Sequence, residues 1–185
     1  MGGFVNTIIK NKFNNINQAI LYFVKHNLFD SDIFINTTDK YDYNLLSQKQ
    51  IFNLVKNMYL KKGRKIVYNN NQKIYITNED IKECVAKILS NKLQKDYLNY
   101  HFAIFGYLDE IIENGILIAR GNETKGRVKY KLWDYYVSMV YINECRYIIE
   151  FDTVLRLDEE KHFRLERIYN YEELINKKQI LWPVF

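Results

Sequence analysis

Residues 133–151, WDYYVSMVYINECRYIIEF, decide the fold because they predict two strands joined by a tight turn. The first strand covers residues 135–141, and residues 142–145 form the turn. The second strand covers residues 146–157, where side chains two positions apart point to the same side of the strand. One side of this second strand carries Tyr147, Ile149, Phe151 and Thr153.

Two further segments extend this hairpin in both directions. Residues 116–119, Ile-Leu-Ile-Ala, form a short apolar run typical of a buried strand. Residues 158–161 predict another turn, and residues 163–169 predict a strand with Phe163 and Tyr169 on one side. The second half of the chain therefore predicts a four-stranded antiparallel meander.

The first half of the chain is dominated by helical spacing. Apolar residues recur every three or four positions over residues 15–26, after Ser47, over residues 81–89 and over residues 99–114. The exception is residues 65–76, where two apolar segments flank an Asn-rich turn and predict a hairpin. We expect an α+β fold, with N-terminal helices followed by helices packed on the four-stranded meander. The expected organisation is a helical N-terminal segment of unknown role over residues 1–62, and an α+β domain over residues 63–185.

Composition restricts the class of protein. The chain has 185 residues with 27 Lys+Arg against 22 Asp+Glu, a formal net charge of +5, and 48% of its residues are hydrophobic. This composition is typical of a globular protein, and no apolar run has the length of about 18 residues that a membrane-spanning helix needs. We expect a cytoplasmic protein without a signal peptide, a cofactor or a metal site, in which Cys84 and Cys145 are reduced thiols.

The segment from His101 to Tyr169 resembles a domain of large polyvalent proteins from phages and mobile elements. The resemblance rests on the helix end at residues 108–114, the polar loop after it, the aromatic strand at residues 133–137, and the following hairpin. That domain is assigned to the barnase–EndoU–colicin–RelE-like ribonuclease group. The resemblance implies helices on a four-stranded antiparallel sheet and a function directed at RNA. Relatives commonly have a His before the aromatic pair, where this chain has Trp133 and Asp134.

Metal-independent RNA cleavage requires a proton donor, a proton acceptor and cations beside the phosphate. We expect Arg167, His101 and Tyr136 to be the catalytic candidates, with His162 as a further proton-transfer candidate. Three of these also have a structural interpretation. Arg167 would be a paired guanidinium, His101 would serve packing or helix capping, and His162 would be a solvated residue at a strand edge. Other cations suited to a phosphate are Arg146, Arg156 and Arg164.

The basic segment of residues 120–131 is the predicted RNA-binding loop, because it holds five cations, one acid and two glycines. Cations there would displace counterions from a phosphate backbone, and an aromatic residue would stack on a base. A solvated charged loop is the alternative interpretation. The candidate RNA-binding residues are Arg120, Lys125, Arg127, Lys129, Tyr130 and Lys131.

Three functional hypotheses remain open at the level of sequence. The first is an RNA-directed protein of a phage or mobile element that cleaves RNA or only binds it. The second is a non-enzymatic inhibitor of a host defence nucleoprotein, of the anti-CRISPR kind, since abundant Tyr and Phe also suit a protein interface. The third is a dimerisation module. The expected partners are RNA, a host ribonucleoprotein or another protein, with no membrane and no inferred specificity for DNA.

Overall fold

A seven-stranded mixed sheet organises the computed structural model of the chain. The structure describes residues 16–26, 28, 33–37, 42–60, 63–90, 98–122 and 130–179. The strand order is β1-β5-β6-β7-β3-β2, and β4 pairs with β5. The strands are β1 (Ile33–Ile35), β2 (Arg64–Asn69), β3 (Gln72–Thr77), β4 (Ile116–Asn122), β5 (Tyr130–Ile142), β6 (Cys145–Arg156) and β7 (Lys161–Asn170).

The prediction of a four-stranded antiparallel meander is wrong. Strands β4 to β7 do pair antiparallel in chain order, but the β2–β3 hairpin and β1 join the same sheet. β1 runs parallel to β5, and β3 runs parallel to β7 through the pair Tyr75 and His162. Parallel pairing joins segments that are far apart in the chain, so the spacing of residues within either segment does not predict it. The broader class, α+β, is confirmed.

β5 pairs with β6 along one edge, and both β1 and β4 pair with its other edge. β4 pairs with residues 132–137 of β5, and β1 pairs with residues 140–142 beyond it. A run of three residues is too short for an alternation pattern to distinguish a strand from a loop. The sequence accordingly predicts residues 32–38 only as a weak strand or a loop.

The helices follow the predicted apolar stripes closely. Ser47 caps its helix through a reciprocal capping box with Gln50, and the predicted Thr77–Asp80 box is present as well. The predicted helix of residues 99–114 is divided by a 3-10 turn at Phe105–Tyr107. The helices are α1 (Ile16–Lys25), α2 (Gln48–Tyr59), α3 (Asn78–Ser90), α4 (Leu98–Ile104), α5 (Leu108–Glu113) and α6 (Tyr171–Gln179).

The β2–β3 hairpin confirms its predicted turn. Asn70 and Asn71 have φ of 45° and 67°, the left-handed conformation that a two-residue hairpin requires and that Asn tolerates. Ile74 and Ile76 of β3 are fully buried. The hairpin is therefore held to the rest of the sheet by its apolar side.

The sheet has a different apolar cluster on each face. Residues in register across adjacent strands point to the same face, so Tyr136, Phe151 and Leu165 share one face. This face, called here the helix-covered face, packs against α2 to α5 in the larger core cluster. Val137 and its partner Glu150 point to the opposite face, where α1 and α6 cover part of the sheet.

The predicted domain boundary near residue 63 stays a prediction. Ile33, Ile51 and Val55 precede this boundary in the chain and are buried in the same core cluster as Phe151 and Phe163, which come after the boundary. Within the described residues, no helix combines the length and the apolar character that crossing a membrane requires.

Candidate functional site

A buried carboxylate, Asp134 of β5, organises a polar cluster on the helix-covered face. The Arg120 Nε donates to Asp134 Oδ1 at 2.5 Å, and its Nη2 donates to Oδ2 at 2.9 Å. Lys161 Nζ also donates to Oδ2, and donates to Gln72 Oε1 at 2.6 Å. Tyr136 donates its hydroxyl proton to the same Gln72 oxygen at 3.3 Å. These five residues, from β3, β4, β5 and β7, are called here the Asp134 cluster.

The curvature of the sheet brings the cluster together. Gln72 lies on β3 and Tyr136 on β5, with β6 and β7 between them in the strand order. In a flat sheet, strands three positions apart would be separated by about 14 Å, because neighbouring strands are about 4.8 Å apart. Their 3.3 Å side-chain contact therefore requires the sheet to curl around its helix-covered face.

The electrostatics of the cluster favour a fixed ion network. Burial raises the pKa of Asp134, but hydrogen bonds and charge attraction from Arg120 and Lys161 outweigh it, so the pKa lies below its ordinary value. Burial, followed by repulsion from Asp134, raises the pKa of Tyr136. At neutral pH the cluster thus holds one carboxylate, two cations and a protonated phenol, with a net charge of one positive.

The cluster reaches solvent through its cations. The side chain of Asp134 is 0% exposed, that of Lys161 is 17% exposed, and that of Arg120 is 42% exposed. Since Nε and Nη2 of Arg120 face Asp134, the Nη1 edge is not used in this pair. A guanidinium bound in this way retains donors for an external acceptor. The arrangement suits binding of an anion better than proton transfer.

The predicted catalytic residues are not brought together. Tyr136 is buried on the helix-covered face, whereas Arg167 is exposed and pairs in register with Glu150 on the opposite face. His101 is fully buried in α4, and burial lowers its pKa to about 3, which keeps it neutral. The fourth candidate, His162, is also buried and contacts Asp80.

The predicted RNA-binding loop is only partly within the described residues. Arg120 belongs to the Asp134 cluster, and Lys131 is paired with Glu159. Tyr130 is 7% exposed and packs edge-to-face on Trp133 with ring centroids 5.4 Å apart, so its ring is not presented for stacking. Lys125, Arg127 and Lys129 lie outside the described residues.

The other candidate phosphate ligands all contact carboxylates. Arg146 pairs with Glu172 at 2.5 Å, and Arg164 approaches Glu83 at 3.4 Å. Arg156 Nη2 lies 2.7 Å from Asp80 Oδ1. These pairs reduce the positive charge available to an anion.

Sequence reasoning missed Gln72 and Lys161, because both come from strands that reach this part of β5 only through the tertiary fold of the sheet. It also missed the alternating Asp158, Glu160 and His162, whose ligand-type atoms all lie within 4.8 Å of one another. The signal for this second group was present in the sequence as three metal-ligating residue types at alternate positions.

A separate cleft of about 490 Å³ lies between the end of α2, the start of β2 and α5. On its wall the Tyr59 hydroxyl donates to Asp109 Oδ1 at 2.6 Å, and Lys65 also binds this carboxylate. The remaining lining residues mix apolar and charged side chains, including Met58, Leu60, Arg64 and Glu110. The cleft is accordingly a polar concavity, separate in the fold from the Asp134 cluster.

Comparison with known proteins finds a viral relative. The chain is 27% identical over 201 residues to a protein of Amsacta moorei entomopoxvirus named "Putative glycylpeptide N-tetradecanoyltransferase". The match covers 98% of this chain but 60% of the viral protein, so the chain spans less than two thirds of that relative. No family model and no solved structure matches the chain.

Proposed function

We propose that the chain is an RNA-directed protein that binds RNA phosphates without cleaving the strand. The Asp134 cluster is the observation that carries this proposal. It combines a net positive charge with a half-exposed guanidinium whose orientation is held by a bidentate ion pair. Guanidinium groups with fixed geometry are well suited to phosphate oxygens.

The position of the cluster supports the same proposal. Arg120 lies two residues from the end of β4 at Asn122, and β5 resumes at Tyr130. The connecting residues carry Lys125, Arg127 and Lys129 in sequence. The predicted RNA-binding segment of residues 120–131 therefore begins, in sequence, at a residue of the Asp134 cluster.

Binding without cleavage is favoured by the state of the proton-transfer candidates. Asp134 stands at the pair of positions where the resemblance places a His, and its lowered pKa together with two cationic partners makes it a poor base. Tyr136 has a raised pKa and is buried, and the side chain of His101 is fully buried in the core. These groups have the wrong protonation or access for acid–base catalysis.

The test measures binding of a fluorescent single-stranded RNA in EDTA at several salt concentrations. We expect salt-dependent binding and intact RNA. A triple variant, K125Q/R127Q/K129Q, should weaken binding by about tenfold or more and lower the salt slope by about 0.7 for each phosphate that the variant no longer neutralises. The control, K49Q/K56Q/K82Q, removes the same charge from α2 and α3. Equal weakening in both variants, or no binding by the natural chain, would contradict the proposal.

The viral relative supports a second candidate function, transfer of a tetradecanoyl group to an N-terminal glycine. The supporting observation is that the similarity extends over 98% of this chain. The chain would be incubated with a tetradecanoyl thioester and a peptide with a free N-terminal Gly, and with the same peptide acetylated as a control. Formation of the amide only with the free peptide, together with no RNA binding, would replace the first proposal by this one.

A further inference from the structure

The turn between β6 and β7 gathers metal-ligating side chains apart from the Asp134 cluster. Asp158, Glu160 and His162 each offer one ligand-type atom, and these atoms lie within 4.8 Å of one another. The turn is held by the Arg156 amide, which donates to the Glu160 carbonyl at 2.9 Å, and by a left-handed Glu159 with φ of 64°. Asp158 is exposed, Glu160 is half-buried and His162 is buried, so the group passes from solvent into the protein.

The orientation of the imidazole distinguishes this group from an ordinary acidic turn. The His162 Nδ1 lies 2.9 Å from Asp80 Oδ2. The same Asp80 oxygen accepts hydrogen bonds from the Thr77 amide at 2.8 Å and the Thr77 hydroxyl at 2.7 Å, and Arg156 Nη2 donates to Asp80 Oδ1 at 2.7 Å. In the neutral imidazole, which is the form that binds a metal ion, the nitrogen facing this carboxylate carries the hydrogen and Nε2 has the lone pair.

That lone pair points into the acidic turn. His162 is 3% exposed, and its Nε2 is a buried atom with no hydrogen-bond partner within the described part of the chain. The nearest charged ligand atom is Glu160 Oε2 at 3.6 Å. Two ligand atoms that bind one tetrahedral Zn²⁺ at about 2.1 Å lie about 3.4 Å apart. The 3.6 Å between His162 Nε2 and Glu160 Oε2 is therefore close to the distance between two ligands of one metal ion.

We infer that Asp158, Glu160 and His162 bind a divalent transition metal ion such as Zn²⁺, with Asp80 orienting the imidazole. One imidazole nitrogen and two carboxylates form a mixed ligand set that first-row transition metals accept, whereas Mg²⁺ and Ca²⁺ prefer oxygen alone. A carboxylate on the far nitrogen of a ligating His is the usual outer partner in zinc sites.

The surrounding cations are compatible with this site. Arg64 binds Glu160 Oε1 at 2.6 Å, which leaves Oε2 facing the imidazole. The Asp158 Oδ1 accepts the Glu160 amide at 3.0 Å within the turn. Arg156 binds Asp80 Oδ1 at 2.7 Å and approaches Glu79 at 4.0 Å, so it faces the outer carboxylate and not the ligand atoms. Two ligand carboxylates would balance the charge of one divalent ion.

The test is calorimetric titration of the full chain, free of any histidine tag, with Zn²⁺ after dialysis against EDTA. We expect saturable binding of one ion per chain and a higher melting temperature. Glu160→Gln keeps the shape of the turn and should weaken the affinity at least tenfold. Glu159→Gln, in the same turn but paired with Lys131, is the matched control and should bind as the natural chain does.

A nitrogen-resolved measurement identifies the ligand atom. The chain has three His residues, so the imidazole signals in a ¹⁵N NMR spectrum are few enough to assign. Zn²⁺ should shift Nε2 of His162 and leave His101 unchanged. Absence of saturable binding, equal affinity in Glu160→Gln, or an unshifted His162 would each overturn the inference.

Discussion

At the scale of single residues, Asp134 shows how one buried charge depends on its partners. Its side chain is fully buried, and Arg120 and Lys161 supply the compensating charge. Both cations are partly exposed, so water still solvates part of their charge. The charge of Asp134 is stabilised mainly by these two cations, because its side chain has no access to water. A buried charge that loses its partners is strongly destabilising, whereas an exposed pair contributes little.

Asp134→Asn should therefore lower the free energy of unfolding at pH 7 by about 2 kcal/mol, since two cations lose a buried partner. The natural pKa of Asp134 is lowered, so its contribution is present above the ordinary pKa of 3.8 and is lost as pH falls through the lowered value. The variant and the natural chain should converge in acid. Urea denaturation at several pH values measures this effect.

The control is Glu172→Gln, which removes a carboxylate from the more exposed pair with Arg146. It should cost less than about 1 kcal/mol at pH 7. An Asp134→Asn effect no larger than this control would show that the cluster is not a stabilising ion network.

At the scale of elements, the junction between α5 and β4 joins a helix to the sheet with little space. Asn69 of β2 donates its amide protons to the Ile112 carbonyl at 2.7 Å and the Gly115 carbonyl at 2.8 Å. A Cβ at Gly115 would lie 2.4 Å from Phe151 Cζ. Phe151 is itself buried and stacked on Tyr136 with ring centroids 5.1 Å apart. The junction therefore depends on the absence of a side chain.

Gly115→Ala should lower the free energy of unfolding by about 2 kcal/mol or more, because the methyl group forces Phe151 out of a packed position. Thermal or urea denaturation measures the decrease. The matched control is Gly121→Ala in β4, where the nearest atom to a new Cβ is Tyr135 Cε2 at 3.9 Å. A similar cost at both glycines would contradict this explanation.

At the scale of the whole molecule, the two faces of the sheet place buried carboxylates in different electrostatic environments. Opposite the Asp134 cluster, Glu150 and Asp152 of β6 lie near Glu166 of β7, and Lys87 of α3 pairs with Glu166. Burial, and then repulsion from Glu166 and Glu150, raises the pKa of Asp152 well above its ordinary value. Burial likewise raises the pKa of Glu150.

These raised pKa values make the pH dependence of stability opposite in sign to that of Asp134. Between the ordinary and raised pKa values, the folded chain binds more protons than the unfolded chain, so this contribution to stability falls as pH rises. Each pKa unit of difference corresponds to about 1.4 kcal/mol. Asp152→Asn should stabilise the chain at pH 7 and lose that advantage below the ordinary pKa of 3.8.

Urea denaturation of Asp152→Asn and Asp134→Asn over the same pH range provides the comparison. The two variants should deviate from the natural chain in opposite directions at pH 7 and approach it in acid. Asp152→Asn destabilised at pH 7 would mean that the carboxylate is satisfied in the folded state.

The local pattern predicted most elements but not their assembly. The stripe after Ser47, the Asn-rich turn at residues 69–72 and the alternation in residues 146–157 each depend on neighbours within a few positions. The pairing of Tyr75 with His162 joins strands more than 80 residues apart. Its single register pair has no signature in either segment, so the sequence left β3 outside the meander.

By itself, the sequence determined the α+β class, the β2–β3 turn, the capped starts of α2 and α3, and the order of strands β4 to β7. These features depend on short-range spacing, backbone preference and nearby hydrogen-bond partners. Only the tertiary structure decided that seven strands form one curled sheet. It also decided that Gln72, Arg120, Asp134 and Lys161 meet, and that Arg167 and Tyr136 lie on opposite faces. The physical reason is that curvature and register arise from burying distant apolar segments together, and these set which polar side chains become neighbours.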